Sequence, residues 1–523
     1  MPRTRLLLLP CLLLIAVLLA ACGGGGGSAD ADPAKAVPAG TSIYLEGVVR
    51  PEGDQRDDVL DAAGKVLRTD DPERKLRELF DKSLKEESAG ASYDDDVAPW
   101  LGERAGVWVT GVDRDKPGYV VLVAAKDTEK AQEAIDKGIV EDQKGKGAVK
   151  QRSYEGVDYQ LDSEGVAAGI VGDFVTVGTE AEFKRTVKAL DGDALADDKR
   201  FKSTIGELDD DRIGLFYVDL KPFFEQALKS DPDAAAQLEQ IRAIFPIDKL
   251  EPVAGALLAD GDRIAFDTLM SGPGVSALRA FAPFLGTGET PLVSELPGDS
   301  WAAFGAPNVG PGLKTLFNTV AGAFGGAAAA QQLEQQYGLN LERDVFSWIG
   351  DIAIFLRGSD KASFEGGLVI EATNPGNMRG AFGKIVGLLQ SQGGQKVNPV
   401  KVKGADAAFA TGSNDIGKPV ILARSENRVV LGVGEAATAD ALAPADKLGD
   451  SELFAQAKEA LGDDFQPSFL LSMPDVIKAV DAMGETDADW VKAKPYLEAF
   501  TVIASGGTFE DDEVHSRVVA GLK

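Results

Sequence analysis

The N-terminal stretch constrains this chain more than any other, because it decides in which compartment the rest can fold. Arg3 and Arg5 precede an apolar run, Leu6–Leu19, which is followed by two alanines. A basic start, a short apolar run and small residues at its end are the three parts of a secretory signal. A membrane-spanning helix needs about 20 apolar residues, so this run is short for a span. The stretch therefore predicts export across the cell membrane and removal of residues 1–21.

The Leu-Ala-Ala-Cys sequence that ends at Cys22 resembles the processing site of bacterial lipoproteins, in which an aliphatic residue and two small residues precede a cysteine. The resemblance implies cleavage after Ala21 and attachment of lipid to Cys22. Cys11 is the rival position, but Pro10 stands where a small residue is wanted. Two or three acyl chains, at about 0.8 kcal/mol per buried methylene, would hold the protein stably at the membrane. A plain secretory signal and an uncleaved membrane anchor are the alternatives.

Charge and cysteine content exclude several classes of function. The chain has 83 Asp and Glu against 54 Lys and Arg, a formal net charge of −29. Such a chain repels nucleic acid and anionic lipid headgroups, so no nucleic-acid partner is expected. The two cysteines are Cys11, in the signal, and Cys22, at the expected lipid. No thiol is then left for a disulfide, a metal site or a nucleophile, and the fold must rely on its apolar core.

Two sequence motifs recur in the same order. The Pro-Ala-Gly-Thr-Ser run from Pro38 is echoed by Pro-Gly-Asp-Ser from Pro297. The Asp-Val-x-x-Trp-Leu-Gly run from Asp96 is echoed by Asp-Val-x-x-Trp-Ile-Gly from Asp344. Ordered repeats of this kind indicate a tandem duplication.

These repeats and the composition between them predict the domain boundaries. Residues 22–36, with their glycine tract, predict a flexible tether. The first repeat is expected at 37–270 and the second at 296–523, with a connector at 271–295.

Each half predicts a mixture of short strands and helices. Gly172-Asp173, between two apolar runs, predicts a hairpin turn. Thr179 and Glu182 have the spacing of a capping box, with which a helix begins. Because the strands follow one another at short and irregular intervals, antiparallel sheets are expected. The predicted fold class is α+β, with two similar tandem domains, each an antiparallel sheet with packed helices.

The repeated Asp-Val-x-x-Trp segment predicts a short helical turn. Asp96 would accept hydrogen bonds from backbone N–H groups at its start, and Gly102 would close it in the left-handed conformation. Trp100, and Trp348 in the second copy, would point into the core. Stacking of these indoles on a sugar ring is the alternative.

Few residues could carry catalysis. His515 is the sole histidine, and its acidic neighbours suggest a surface position at a sheet edge, so no Ser-His-Asp or Cys-His set is expected. The acidic clusters at 94–96, 209–211 and 510–513 lack the spacing of a calcium loop, and no phosphate-binding glycine loop occurs. We therefore expect no catalytic residue, no metal and no cofactor.

The motifs at Pro38 and Asp96, each with its second copy, resemble those of a broad bacterial family of secreted or lipid-anchored proteins of unknown function. The resemblance implies no known activity. Our leading hypothesis is a lipid-anchored extracytoplasmic protein, not an enzyme, with a binding or scaffolding role in the cell envelope. Its partners would be the membrane and an envelope protein or hydrophobic ligand.

Two alternative functions remain open at this point. The first is a carrier of lipid or another hydrophobic ligand, which a large dry cavity would favour. The second is an envelope hydrolase that uses carboxylates. Convergent acids with raised pKa values in a deep cleft would favour that enzyme.

Overall fold

The structure of the chain is a computed structural model. It describes residues 30–87, 92–110, 118–142, 149–219, 221–222, 249–279, 281–288, 290–324, 326–392, 397–413, 417–484 and 487–523. The predicted cleavage and attachment sites, Ala21 and Cys22, lie outside the described residues. The chain divides into two compact units, with the boundary between Ser271 and Gly272. None of the described helices is long and apolar enough to span a bilayer.

The first unit contains an antiparallel sheet with packed helices. Its strands are β1 (Ile43–Val48), β2 (Leu101–Thr110), β3 (Gly118–Ala125), β4 (Lys150–Tyr154), β5 (Val157–Leu161), β6 (Val166–Val171), β7 (Phe174–Thr179), β8 (Gly214–Val218), β9 (Val253–Ala259) and β10 (Arg263–Ser271). They pair in the order β4-β5-β6-β7-β3-β2-β1-β8-β9-β10. The longer helices are α1 (Gly53–Leu67), α2 (Pro72–Glu87), α3 (Thr128–Asp142), α4 (Glu180–Ala189) and α5 (Lys199–Ile205).

The second unit repeats this order of pairing strand for strand. Its strands are β11 (Ser300–Ala306), β12 (Ile349–Arg357), β13 (Glu365–Ala372), β14 (Asn398–Pro399), β15 (Ala407–Ser413), β16 (Pro419–Arg424), β17 (Arg428–Val433), β18 (Phe469–Ser472), β19 (Phe500–Phe509) and β20 (Glu513–Leu522). The order is β14-β15-β16-β17-β13-β12-β11-β18-β19-β20, and every pair is antiparallel.

The helices of the second unit complete the mixed architecture. They are α6 (Val309–Phe324), α7 (Gly326–Tyr337), α8 (Pro375–Gln392), α9 (Glu435–Leu442), α10 (Glu452–Leu461), α11 (Met473–Met483) and α12 (Ala488–Leu497). The predicted α+β class, with antiparallel strands and packed helices, is confirmed.

The central strand β3 explains why the first unit has a core on both faces of its sheet. Val120, Leu122 and Ala124 are buried in one cluster, with Tyr44 of β1. The β3 residues between them point to the opposite face, where they join a second cluster that includes Ile135 of α3. Because both faces are covered, the strand is apolar throughout rather than alternating.

The prediction of a flexible tether is wrong for its last residues. Pro33–Ala36 form a 3-10 helix, and the Asp32 side chain caps it by accepting a hydrogen bond from the backbone N–H of Ala34 at 2.9 Å. Ala34 and Ala36 are buried in the core of the first unit. The proline and the capping carboxylate favour the turn locally, and burial of the alanines fixes it. The rest of the predicted tether, 22–29, lies outside the described residues.

The predicted hairpin and the predicted capping box have different outcomes. The hairpin is confirmed, since β6 and β7 pair up to Val171 and Phe174, and Gly172 takes a φ of 58°. The helix predicted after Thr179 is present, but the hydrogen bond predicted for the capping box is not. Thr179 immediately precedes α4, but its side chain bonds to no backbone N–H there and donates instead to the Glu182 carboxylate.

The predicted connector, 271–295, groups with the second unit from Gly272 onward. It contains two 3-10 helices, Val275–Leu278 and Ala282–Leu285, and a short α-helix, Pro291–Ser294. Val293 of this α-helix is fully buried and occupies the space beside Gly305 of β11 that a Cβ would need.

Candidate functional site

His515 lies in β20 of the second unit, half-buried. The ring of Phe465 packs edge-on against its imidazole, with centroids 4.9 Å apart and an interplanar angle of 86°. The imidazole is therefore partly covered, and His515 is less exposed than the predicted surface position implies.

The acidic clusters serve turns and surface ion pairs. Asp211 donates its backbone N–H to the Asp209 carboxylate at 2.9 Å, within a turn. Asp511, which is exposed, forms an ion pair with Arg279 at 2.6 Å. Within the part of the chain that the structure describes, no three His, Cys, Asp or Glu side chains converge as a metal site requires.

The second copy of the Asp-Val-x-x-Trp segment forms a buried joint at the start of β12. The indole Nε1 of Trp348 donates to the backbone carbonyl of Asp344 at 2.8 Å. The carbonyl oxygen of Trp348 in turn accepts from the backbone N–H of Thr373, at 2.8 Å, just after β13. Trp348 is buried and packs with Met378 and Phe382 of α8. The predicted core position of this indole is confirmed, so it is not free to stack on a sugar.

Ionic contacts hold the buried Asp344 carboxylate in place. Its oxygens accept from Lys384 of α8 at 2.5 Å, from Arg343 at 3.0 Å and from the backbone N–H of Asn340 at 2.7 Å. Burial alone would raise the pKa of Asp344, but these hydrogen bonds outweigh it and lower the pKa to about 2. The carboxylate therefore stays ionised and fastens α8 to the turn.

The first copy uses the same contacts in a more exposed setting. Trp100 Nε1 donates to the carbonyl of Asp96 at 2.6 Å, and Lys137 of α3 donates to the Asp96 carboxylate. The backbone N–H of Ser92, four residues before the Asp, also donates to that carboxylate at 2.9 Å. The hydrogen bond from Lys137 is the main cause that lowers the pKa of Asp96. In both copies the carboxylate thus joins the segment to a helix.

The glycine that ends each copy does not take the left-handed conformation that the sequence predicts. Neither Gly102 nor Gly350 has a positive φ, and both lie in the first residues of their strands. Glycine is required at both positions because a neighbouring strand leaves no room for a side chain. A Cβ on Gly102 would lie 2.7 Å from the carbonyl oxygen of Ala124, and one on Gly350 would lie 2.9 Å from that of Glu371.

A polar cleft in the first unit is the candidate binding site. It has a volume of about 320 Å³ and opens where β1 ends and where β2 and β8 begin. The strand register places the lining residues next to one another, because Val48 of β1 pairs with Arg104 of β2 and Gly47 pairs with Gly214 of β8. Its charged lining residues are Asp30, Glu46, Arg50, Glu52, Glu103, Arg104, Asp210 and Arg212.

Glu46 is the centre of one hydrogen-bond chain in this cleft. It accepts from the Tyr44 hydroxyl at 2.7 Å and from Arg104 Nη1 at 3.0 Å. Arg104 extends the chain to Asp30, to which its Nε donates at 2.6 Å. Burial raises the pKa of Glu46, against the lowering effect of its two donors. Tyr44 is fully buried, and burial together with the Glu46 charge raises its pKa well above the usual value.

A second charged group surrounds Arg50, whose side chain is only 3% exposed. Its Nη2 lies 3.6 Å from the Glu52 carboxylate and 4.0 Å from that of Glu103. Burial, followed by repulsion from Glu52 and Asp30, raises the pKa of Glu103. Arg212 completes the wall and donates to the carbonyl of Asp209 at 2.8 Å.

The arrangement suits recognition of a polar ligand. The inner side chains, such as Arg50 and Glu46, are desolvated charges held by partners, whereas Glu52 and Asp30 stand at the exposed edge. An interior of this kind discriminates by charge and hydrogen bonding and offers little to an apolar molecule. The raised pKa values of Glu46 and Glu103 meet part of the criterion for an acid–base enzyme, but an arginine neighbours each carboxyl.

The family model for a protein of unknown function, DUF3352, matches residues 60–506. The chain belongs to the DUF3352 family. The matched region includes both Trp segments and, from the cleft, Glu103 and Arg212, but it begins after Glu46 and Arg50. No curated protein matches this DUF3352 chain.

Solved structures add only distant likenesses to this DUF3352 protein. Crystal forms I, III and IV of TP0453 align with sequence identities of 13%, 13% and 12% and TM-scores of 0.25, 0.24 and 0.24. The alignments cover 46%, 47% and 47% of this chain and 79%, 81% and 83% of TP0453.

Sequence reasoning missed the cleft of this DUF3352 protein, although one signal was available. Glu46 interrupts the otherwise apolar strand β1, and Glu103-Arg104 open the β2 strand that pairs with it. Charged residues inside strands of a covered sheet need partners, and that requirement points to a buried network. The register that joins them could not be read from the sequence.

Proposed function

We propose that this DUF3352 protein is a lipid-anchored, extracytoplasmic protein with a non-catalytic binding or scaffolding role in the cell envelope. The Leu-Ala-Ala-Cys sequence at Cys22 supports the anchor. The cleft of the first unit carries the binding role, because its buried Arg50 and its inner carboxylates are poised for a charged or hydrogen-bonding ligand. We further propose that the two units are tandem copies, supported by their identical order of strand pairing.

Metabolic labelling with a palmitate analogue tests the anchor. The wild-type protein and a Cys11→Ser variant should both incorporate the label, and Cys22→Ser should not. The Cys11→Ser variant is a matched control, since the two cysteines are 11 residues apart in the same N-terminal stretch. Label retained by Cys22→Ser would refute lipid attachment at that residue.

Native mass spectrometry of the protein purified from its own envelope tests the binding role. The wild-type protein should retain a polar ligand or partner, and Arg212→Gln should retain much less. Arg263→Gln is the control, because Arg263 pairs with Asp260 on the same unit without lining the cleft. Equal retention by all three proteins would remove the cleft from the proposal.

Hydrolysis by carboxylates is the second candidate, and the raised pKa values of Glu46 and Glu103 favour it. We rank it lower because both carboxyls lie beside arginines that favour their ionised forms. Turnover of an envelope glycan by the wild-type protein, lost in Glu103→Gln, would reverse this ranking.

A further inference from the structure

A row of apolar side chains crosses the sheet of the second unit and is open to solvent. Starting from Phe469 in β18, successive directly paired residues are Phe304 in β11, Ile354 in β12, Leu368 in β13 and Leu431 in β17. Directly paired residues lie on the same face of an antiparallel sheet, so these five side chains form one continuous surface, the apolar row. Phe304, Ile354 and Leu431 are 36%, 45% and 42% exposed.

The apolar row has a defined length. At one end Leu431 pairs with Leu422 of β16, which is 8% exposed and packed in the core with Phe382 of α8. At the other end Phe469 pairs with the polar Ser505 of β19. Five neighbouring strands at about 4.8 Å spacing give the row a length of about 19 Å.

The matching row of the first unit is more deeply covered. It runs through Phe216, Leu45, Val107, Val121 and Val177, in the same succession of strands. Val107 and Val121 are only 8% and 6% exposed, because helices pack over them. Exposure of the row is therefore a property of the second unit and not a requirement of the shared strand order.

The helices that follow β11 carry little charge. α6 and α7 contain one charged residue each, Lys314 and Glu334. The helices in the corresponding place of the first unit, α1 and α2, contain sixteen charged residues between them. The second unit thus carries less charge in these helices, and less cover over this row of its sheet, than the first unit does.

The dimensions of the apolar row fit a hydrocarbon chain better than a protein partner. Its three most exposed side chains offer about 40% of roughly 200 Å² each, or about 240 Å² in all, whereas a stable protein interface buries about 800 Å² per partner. The row contains no charged side chain to guide a protein ligand. One leaflet of a bilayer is about 15 Å of hydrocarbon, so an acyl chain laid across the strands would occupy most of the row.

We infer that the apolar row binds one acyl chain of a membrane phospholipid. The inference rests on the proposed function, which attaches the chain to a membrane through Cys22. It adds a second site, for a different class of ligand, to the polar cleft of the first unit. The acidic surface, with a net charge of −29, favours zwitterionic over anionic lipid.

Lipid capture from vesicles tests the inference. The chain from residue 22 onward, without the predicted signal and carrying Cys22→Ser, is mixed with phosphatidylcholine vesicles, isolated from them, and analysed for bound phospholipid. We expect about one lipid per chain, and at least tenfold less when Ile354→Thr and Leu431→Thr are added. Threonine keeps the strand preference of these positions, so the fold should persist. Val491→Thr, at a position 64% exposed in α12, is the matched control and should bind as the parent does.

Quenching provides a readout that does not depend on the stability of the double variant. A Phe304→Trp substitution adds a fluorophore in the row to the five tryptophans of the chain. Phosphatidylcholine with brominated acyl chains should quench the emission of this variant more than that of the parent with Phe304. The inference would be overturned if no such additional quenching occurred or if the double variant bound as much lipid as its parent. It would also be overturned if the parent formed a dimer and the double variant were monomeric, because the row would then be an interface between two copies of the chain. Because the protein tested lacks Cys22, these results are independent of whether the anchor test succeeds.

Discussion

Trp348 donates a hydrogen bond from its indole nitrogen to the backbone carbonyl of Asp344, 2.8 Å away, and both residues are at most 4% exposed. Trp100 and Asp96 make the same bond at 2.6 Å in the first unit, with the indole half-buried. The two pairs fasten equivalent strand starts, so a change in one copy can be compared with the same change in the other.

Removing the indole donor should destabilise the second unit more than the first. Trp348→Phe leaves the Asp344 carbonyl without its donor and leaves a cavity beside α8, which should cost about 2–4 kcal/mol. Trp100→Phe should cost about half as much, because water can reach its half-buried site. Urea unfolding of the two variants against the wild type measures both costs. Equal losses would contradict the difference in burial.

Alanine should have opposite effects at two glycines of the second unit. Gly350→Ala places a Cβ 2.9 Å from the Glu371 carbonyl, so β12 and β13 must shift, which should cost about 2 kcal/mol or more. Gly380→Ala, inside α8 with nothing within 4 Å of the added Cβ, should stabilise by about 0.5–1 kcal/mol. Thermal unfolding gives the sign of each change directly. Stabilisation by Gly350→Ala would contradict the explanation that glycine is needed there because the Glu371 carbonyl leaves no room for a Cβ.

The repeated motifs show how far the fold could be read from sequence. The Asp, the Trp one turn later and the apolar strand after it predicted the joint at Trp348, because those signals are local. The prediction that the helical turn starts at the Asp is wrong, since the turn of the first copy ends at Asp96 and has Ser92 as its N-cap. The role of Gly350 could not be predicted, since the carbonyl that excludes a Cβ belongs to Glu371 on a neighbouring strand. The same limit applies to Pro33–Ala36, whose helix depends on burial against strands far along the chain.

Arg357 should be among the most sensitive positions of the second unit. Its side chain is 9% exposed and contacts Glu365 at 2.8 Å, Asp440 at 2.8 Å and Asp299 at 3.3 Å. Arg357→Met removes the cation that the three carboxylates share and leaves Lys418 as the cation beside Glu365, and it should cost about 3–5 kcal/mol. Adding Glu365→Met should recover part of the loss, since Glu365 is the most buried of the three acids. A double variant no more stable than Arg357→Met would contradict this account.

The cleft was less predictable than the fold because its charges come from distant segments. Glu46 and Arg104 meet only through the pairing of β1 with β2, and Arg212 arrives just before β8. A chain with 83 acidic residues offers too many carboxylates for any one of them to stand out. Burial singles out Glu46 and Glu103, and burial depends on the tertiary fold.

Neutralising Glu103 should stabilise the protein at neutral pH. Burial and repulsion raise the pKa of Glu103 in the folded chain, so its ionisation is costlier there than in the unfolded chain. The penalty is absent well below the unfolded pKa of about 4.3 and grows as pH rises through the folded pKa. Glu103→Gln should therefore unfold at higher urea than the wild type at pH 7, and the difference should vanish below about pH 4. Glu426→Gln, on an exposed turn, should show no such dependence.

Asp344 should give the opposite pH dependence, because its pKa in the folded chain is lowered to about 2. A lowered pKa stabilises the fold above the unfolded value of about 3.9, and the contribution is lost as pH falls towards the folded value. Asp344→Asn keeps the shape but removes the charge that Lys384 and Arg343 bind, and it should cost about 2–4 kcal/mol at pH 7.

The cost of Asp344→Asn should stay constant from pH 7 to about pH 5 and shrink between pH 4 and pH 2, where the wild-type carboxylate takes up its proton. Asp96→Asn is the matched control in the first unit. Its carboxylate is 19% exposed against 3% for Asp344, and water screens its pair with Lys137, so its cost should be smaller at every pH. Urea unfolding across this pH range measures both profiles. A cost for Asp344→Asn that stays unchanged at pH 2 would show that its charge does not hold α8 in place.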